Sequence, residues 1–197
     1  MKTNRLIQLV STLLAAIVVT ACSKNDAETV QAPTPGTPAP TSRSVEVNAP
    51  IPHKDIDLVF SMVGAPTYNP ATDTISATVN VANNGKAAIA STGSHPVNIG
   101  VVILGADGSL NTPPGKQDFV RIRLPRGLEQ GEKLDLPVKF KVAPTLGGTV
   151  IVDAVQERVA WFRGYKKPVL TLGSFVRCKG EEKTACLSDG TAIATAQ

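Results

Sequence analysis

Thr74-Ile75-Ser76-Ala77-Thr78-Val79-Asn80-Val81 decides the fold class. Its apolar residues recur at every second position, which puts Ile75, Ala77, Val79 and Val81 on one face and polar groups on the other. A period of two with β-branched side chains is the pattern of a strand with one face to a core and one to water. The same alternation returns at Val97, Ile99, Val101 and Ile103, at Val120, Ile122 and Leu124, and at Leu134, Leu136, Val138, Phe140 and Val142. Turn chemistry separates these runs: Asn83-Asn84-Gly85, Ala106-Asp107-Gly108, Gly127 to Gly131 and Pro144 to Gly148. No segment of useful length has a 3.6-residue period. About seven strands are expected, over 56–63, 74–82, 96–104, 118–124, 133–142, 148–156 and 167–176. The expected fold class is all-β, an immunoglobulin-like antiparallel β-sandwich.

Outward from this region, the amino terminus reads as an export signal. Lys2 and Arg5 precede an apolar run from Leu6 to Thr20, too short to span a bilayer as a helix. Val19-Thr20-Ala21-Cys22 follows and resembles the bacterial lipobox. That resemblance implies lipidation at Cys22, cleavage before it, and a membrane attachment through two or three acyl chains. Ser23 stands where an inner-membrane retention signal would place Asp, so an outer-membrane location with the domain in the periplasm is expected, surface exposure remaining open. Cleavage removes Lys2 and Arg5 from 20 basic residues against 16 acidic ones, leaving a mature side-chain charge of only +2. Nucleic acid is therefore not expected as a partner. Residues 22–48 form a Pro/Thr-rich linker, with Ala-Pro-Thr-Pro-Gly-Thr-Pro-Ala-Pro-Thr at 32–41. Such a polyproline-type spacer reaches on the order of 70 Å over about 25 residues. The expected order is a signal peptide (1–21), the lipidated linker (22–48), the sandwich (49–177) and a disulfide-pinned tail (178–197).

Within the sandwich, a series of short motifs follows in order. They are Asn-Asn-Gly (83–85), Gly-Ser-His-Pro-Val-Asn-Ile-Gly (93–100), Asp-Gly (107–108), Arg-Ile-Arg-Leu-Pro (121–125), Gly-Glu (131–132), Ala-Pro (143–144) and Val-Gln-Glu-Arg-Val-Ala-Trp-Phe (155–162). The series resembles an immunoglobulin-like module often fused to bacterial polysaccharide glycosyltransferases and methyltransferases. It also resembles the carbohydrate-binding end of certain polysaccharide-exporting transporters. The resemblance implies a sandwich fold and a connection with glycans.

Most of these residues have structural readings. Asn84-Gly85 and Asp107-Gly108 suit hairpin turns that need positive φ. Trp161 and Phe162 are expected to plug one end of the sandwich, and Tyr68 and Tyr165, in turn-like settings, are the better aromatic contacts for a sugar. Asp153 and Glu157 read as a solvated strand face with Arg158 as partner. Cys178 and Cys186, an even pair in an exported chain, read as a disulfide, with fraying beyond about Asp189. Neither zinc nor Cys-x-x-Cys redox chemistry fits their spacing.

Chemistry is sparse. The only histidines are His53 and His95. Nucleophile elbow, phosphate loop, dinucleotide fingerprint and metal-ligand spacing are all missing from the chain. No catalytic residue, metal or cofactor is expected, and the chain reads as a non-enzyme. The basic residues Arg121, Arg123, Arg126, Arg158, Arg163, Lys166 and Lys167, with Tyr165, form a candidate binding patch. Arg121 and Arg123 equally suit the protection of a sheet edge. The leading expectation is a non-catalytic accessory or scaffold component of an envelope protein complex. The alternative is a module that binds surface polysaccharide or peptidoglycan.

Overall fold

The computed structural model describes residues 48–112 and 117–196. The expectations for the signal peptide, Cys22 and nearly all of the linker lie outside the described residues. The rest folds as two packed β-sheets. In chain order the strands are β1 (Leu58–Asn69), β2 (Thr74–Asn83), β3 (Val97–Leu104), β4 (Val120–Arg123) and β5 (Lys133–Lys141). They continue with β6 (Thr149–Gln156), β7 (Ala160–Trp161), β8 (Leu170–Cys178), β9 (Glu181–Leu187) and β10 (Ala194–Thr195). One sheet runs β10-β1-β2-β5. The other runs β4-β3-β6-β8-β9, with β7 paired to one end of β6. The all-β sandwich holds, and each of the seven expected strands has its counterpart. Among the described residues the named strands pair antiparallel except for the short parallel β1–β10 contact, and an isolated parallel bridge joins Leu146 to Phe175.

Burial follows the alternation. Ile75, Val79 and Val81 of β2 meet Val97, Ile99 and Val101 of β3 and Val150, Val152 and Ala154 of β6 in one core. Burial of this apolar surface is the main source of stability. The central strand β6 is buried on both faces from Val150 to Gln156. Asp153 is the one charged residue in that run.

Several expectations need correction. Gly85 does not adopt a positive φ. Its smallness serves a close approach instead: a Cβ there would lie 2.4 Å from the Asp55 carbonyl oxygen and 2.6 Å from the Asp57 nitrogen. Gly108, by contrast, has φ 77° and suits its turn. Tyr68 is buried in β1, not displayed in a turn. Its hydroxyl donates to Asp73 Oδ1 at 2.9 Å, and Arg177 reaches Asp73 through both Nη atoms at 2.8 and 2.9 Å. The chain does not fray beyond Asp189 either. Asp189 caps the backbone N–H of Thr191, Ile193 is buried, and Ala196 N donates to the Tyr68 carbonyl. This terminus is held because its few apolar side chains and backbone groups close the edge of β1 at Thr67 and Tyr68. Cys178 and Cys186 form the expected disulfide, which ties β8 to β9.

Candidate functional site

The outer face of the six-stranded sheet carries an unusual row. Arg121 of β4 pairs with Gly100 of β3, and Gly100 pairs on its other side with Asp153 of β6. Glycine leaves a gap between a cation and an anion, and the indole of Trp161 fills it. A Cβ on Gly100 would lie 2.4 Å from Trp161 Cη2 and 2.6 Å from Cζ3. The hairpin β6–β7 delivers this ring. Its turn is closed by Val159 N donating to the Gln156 carbonyl, with Arg158 at φ 63°. The register pairs Trp161 with Val155, so the indole shares the outer face with Val155. The next residue, Phe162, then turns inward and is buried in the core. The expected plug therefore divides: Phe162 fills the core, and Trp161 lies half-buried on the outside.

Two guanidiniums stack on the indole. The Arg121 carbon lies 5.0 Å from the ring centroid and the Arg163 carbon 4.6 Å. Such cation–π contacts contribute roughly 0.5–2 kcal/mol each. Arg121 comes from the β4 flank of Gly100, and Arg163 from the flank where β6 holds Asp153.

Carboxylates hold both arginines in place. Arg121 donates to Asp118 at 2.5 and 3.1 Å and also to Glu157. Asp118 in particular holds the Arg121 pKa above its ordinary value. Glu157 also accepts from Asn98 Nδ2 at 2.5 Å. Arg163 donates to Asp153 Oδ2 at 2.8 Å, and the Ala154 N–H donates to Oδ1. Asp153 is fully buried, and burial pushes its pKa up despite these donors. The expected solvation holds in part for Glu157, whose side chain is partly exposed, and fails for Asp153. Among the described residues neither carboxylate pairs with the expected Arg158; Asp153 pairs with Arg163 and Glu157 with Arg121.

Trp161, Arg121, Arg163, Asp118 and Glu157 line an open groove of about 910 Å³ together with Gln117, Phe119, Arg158 and Gly164. A smaller hollow of about 460 Å³ adjoins it, lined by Ser91, Thr92, Asn98 and Arg123, and shares Arg121 and Glu157 as its wall. Among the described residues, no hydrogen bond or ion pair engages the side chains of Arg123 and Arg158.

The structure thus brings together Arg121, Arg158 and Arg163, with Arg123 next to them. It does not add the others. Arg126 turns to Glu132 at 2.9 Å and to two backbone carbonyls. Tyr165 packs on the core with its ring 5.6 Å from His53. Lys166 occupies a left-handed position after a short 3-10 turn. Sequence reasoning missed Trp161 and Asp118 as groove residues, Gly100 as the seat of the indole and Asn98 as part of the adjoining hollow. The alternation of Ile151, Asp153 and Val155 already marks the outer face, and carrying it across the hairpin places Trp161 there. His95 contacts the Glu157 carbonyl oxygen through Nδ1 at 3.1 Å. Among the described residues no group of three or more His, Cys, Asp or Glu side chains is placed to hold a metal.

No family model matches the chain, and no curated protein matches it. Among solved structures it is similar to β-glucosidase 3B from Thermotoga neapolitana, in complex with glycerol. The two are 13% identical with a TM-score of 0.31, over 60% of this chain and 16% of the other. The matched region is thus a small part of that enzyme.

Proposed function

We propose that this chain is a lipid-anchored outer-membrane protein whose sandwich binds an envelope protein without catalysis, through the groove at Trp161. The observation that carries the reading is the composition of that groove. Trp161, Arg121, Arg163 and the unengaged Arg158 lie together with Phe119 on one sheet face. Tryptophan and arginine are the residues most enriched where protein contacts concentrate their binding energy. The ion pairs fix Arg121 and Arg163 in advance, so less side-chain entropy is lost on contact. The Val-Thr-Ala-Cys motif at 19–22 and the proline-rich stretch behind it support the anchor and the tether.

Two experiments test the reading. Labelled fatty acid should enter the full chain in cells and fail to enter Cys22→Ser, and labelling that persists in the variant contradicts the anchor. A photo-crosslinking residue in place of Gln117, on the groove, should give one discrete adduct in native membranes. No adduct there, with adducts elsewhere on the sandwich, contradicts the groove as the contact face.

The second reading is glycan binding, favoured by the continuity of the groove with the hollow beside Arg123 across the shared Arg121–Glu157 wall. Titration with envelope glycans should then shift the Trp161 indole resonance and those of Arg121 and Arg123. No shift at millimolar glycan contradicts it.

A further inference from the structure

The outermost strands of the two sheets are treated unequally. β5 carries Lys133, Asp135, Pro137, Lys139 and Lys141, β4 carries Arg121 and Arg123, and β9 opens with Glu181, Glu182 and Lys183. Charge and proline are the usual means of keeping an exposed strand from pairing with another chain. β1 borders on β10 only at Thr67 and Tyr68. Its first half, Leu58-Val59-Phe60-Ser61-Met62-Val63, has no charge and no proline. Among the described residues no strand pairs with its outer side. Val59 is 39% exposed and Val63 44%, two of the four most exposed large apolar side chains among the described residues.

The phase of the backbone is fixed by its neighbours. The Asp57 carbonyl accepts from Asn84 N, so Asp57 faces β2. Asn83 exchanges hydrogen bonds with Gly131 and Glu132 on its other side, so its partner Leu58 faces away from β2. Strand alternation then turns the N–H and C=O groups of Leu58, Phe60 and Met62 to the open edge. The side chains of Val59, Ser61 and Val63 point to solvent, and those of Phe60 and Met62 pack towards the core.

We propose that a second copy of this chain pairs here, β1 against β1, antiparallel and centred on Ser61. In this register Phe60 lies opposite Met62 of the other copy, and both present their free backbone groups to each other. Val59 meets Val63, covering two exposed valines in each copy, and Ser61 meets Ser61. The hydrogen-bond phase admits this register, and the pairing of Val59 with Val63 singles it out. The four-stranded sheet becomes continuous across a twofold axis, as a closed symmetric dimer requires. The kink where β1 slips against β2 between Val63 and Thr67, with Gly64 at φ 72°, ends the paired stretch. This surface is on the opposite sheet from the Trp161 groove and does not depend on it.

The test is cysteine crosslinking of the full chain in its native membrane. Two Ser61 residues opposed at a non-hydrogen-bonded site have Cα atoms about 4.5 Å apart, within disulfide reach. Mild oxidation should turn most of Ser61→Cys into a reducible dimer, well above the background of the unmodified chain. Val59→Cys should crosslink poorly alone and efficiently when co-expressed with Val63→Cys. Sedimentation of the detergent-solubilised full chain should show a concentration-dependent dimer that Ser61→Lys weakens at least tenfold, with unchanged Trp161 fluorescence reporting an intact fold. A chain that stays monomeric at every concentration, a Ser61→Cys that crosslinks no better than Val59→Cys alone, or a dimer indifferent to Ser61→Lys overturns the proposal.

Discussion

At the residue scale, the site rests on the missing side chain at position 100. Gly100→Ala should push the indole off the sheet, because its Cβ would overlap two ring carbons. An overpacking cost of about 1–3 kcal/mol is expected. Trp161 is the only tryptophan, so its fluorescence isolates the effect: a red-shifted emission is expected, and an unchanged spectrum would mean that the ring does not rest there. The Asp153–Arg163 pair should respond asymmetrically. Arg163→Ala leaves a buried carboxylate without its cation and should cost about 3–5 kcal/mol, while Asp153→Asn should cost less. The sign follows from burial. Because the folded pKa of Asp153 is raised, its ionisation opposes folding, and its contribution falls as pH rises from the ordinary carboxylate range through the folded value. Asp153→Asn should remove that part of the pH dependence, which denaturant titrations at several pH values would reveal. The outer-face placement of Asp153 was legible in the alternation of Ile151, Asp153 and Val155. Its partner was not, because Arg163 is brought back over the sheet by a hairpin and a 3-10 turn that no periodicity announces.

At the scale of elements, the two sheets are clamped at one corner. Arg177 of β8 holds Asp73, in the β1–β2 turn, and also reaches the Tyr68 hydroxyl at 3.2 Å. Arg177 draws the Asp73 pKa down, and burial pushes that of Tyr68 up. A lowered carboxylate pKa means stability that is present above about pH 4 and lost as pH falls through the folded value. Asp73→Asn should therefore cost about 1–2 kcal/mol near neutrality and flatten the acid limb of the stability curve. An unflattened limb would contradict the clamp. The β8–β9 disulfide closes a short loop, and Cys186→Ser should lower stability by about 2–3 kcal/mol, measured by denaturant unfolding. β2 and β5 were readable by their period of two because each faces the core on one side, whereas β3 and β6, buried on both faces, were readable as β-branched apolar runs bounded by turns. β9 and β10 were not. Glu181-Glu182-Lys183 has no apolar alternation, and β10 is two exposed residues fixed by backbone pairing alone.

At the scale of the whole molecule, the sandwich offers two distinct faces. The six-stranded sheet presents tryptophan, paired arginines and two guanidiniums without a partner among the described residues, a surface suited to a partner of mixed polarity. The four-stranded sheet presents an uncharged edge suited to another copy of itself. On this reading a tether holds both at a membrane, where the groove meets its partner and the edge doubles the number of grooves. The fold was legible from the chain because a sandwich is written in alternation. The groove was only half legible, because it depends on a glycine gap and on three strands brought side by side from distant positions. The most direct test of the central claim compares two photo-crosslinking positions in native membranes: Gln117 on the groove and Lys139 on the opposite sheet. The account predicts a discrete adduct from position 117 that disappears with Trp161→Ala and is not formed from position 139. Equal adducts from both positions, or an adduct at 117 indifferent to Trp161→Ala, would contradict it.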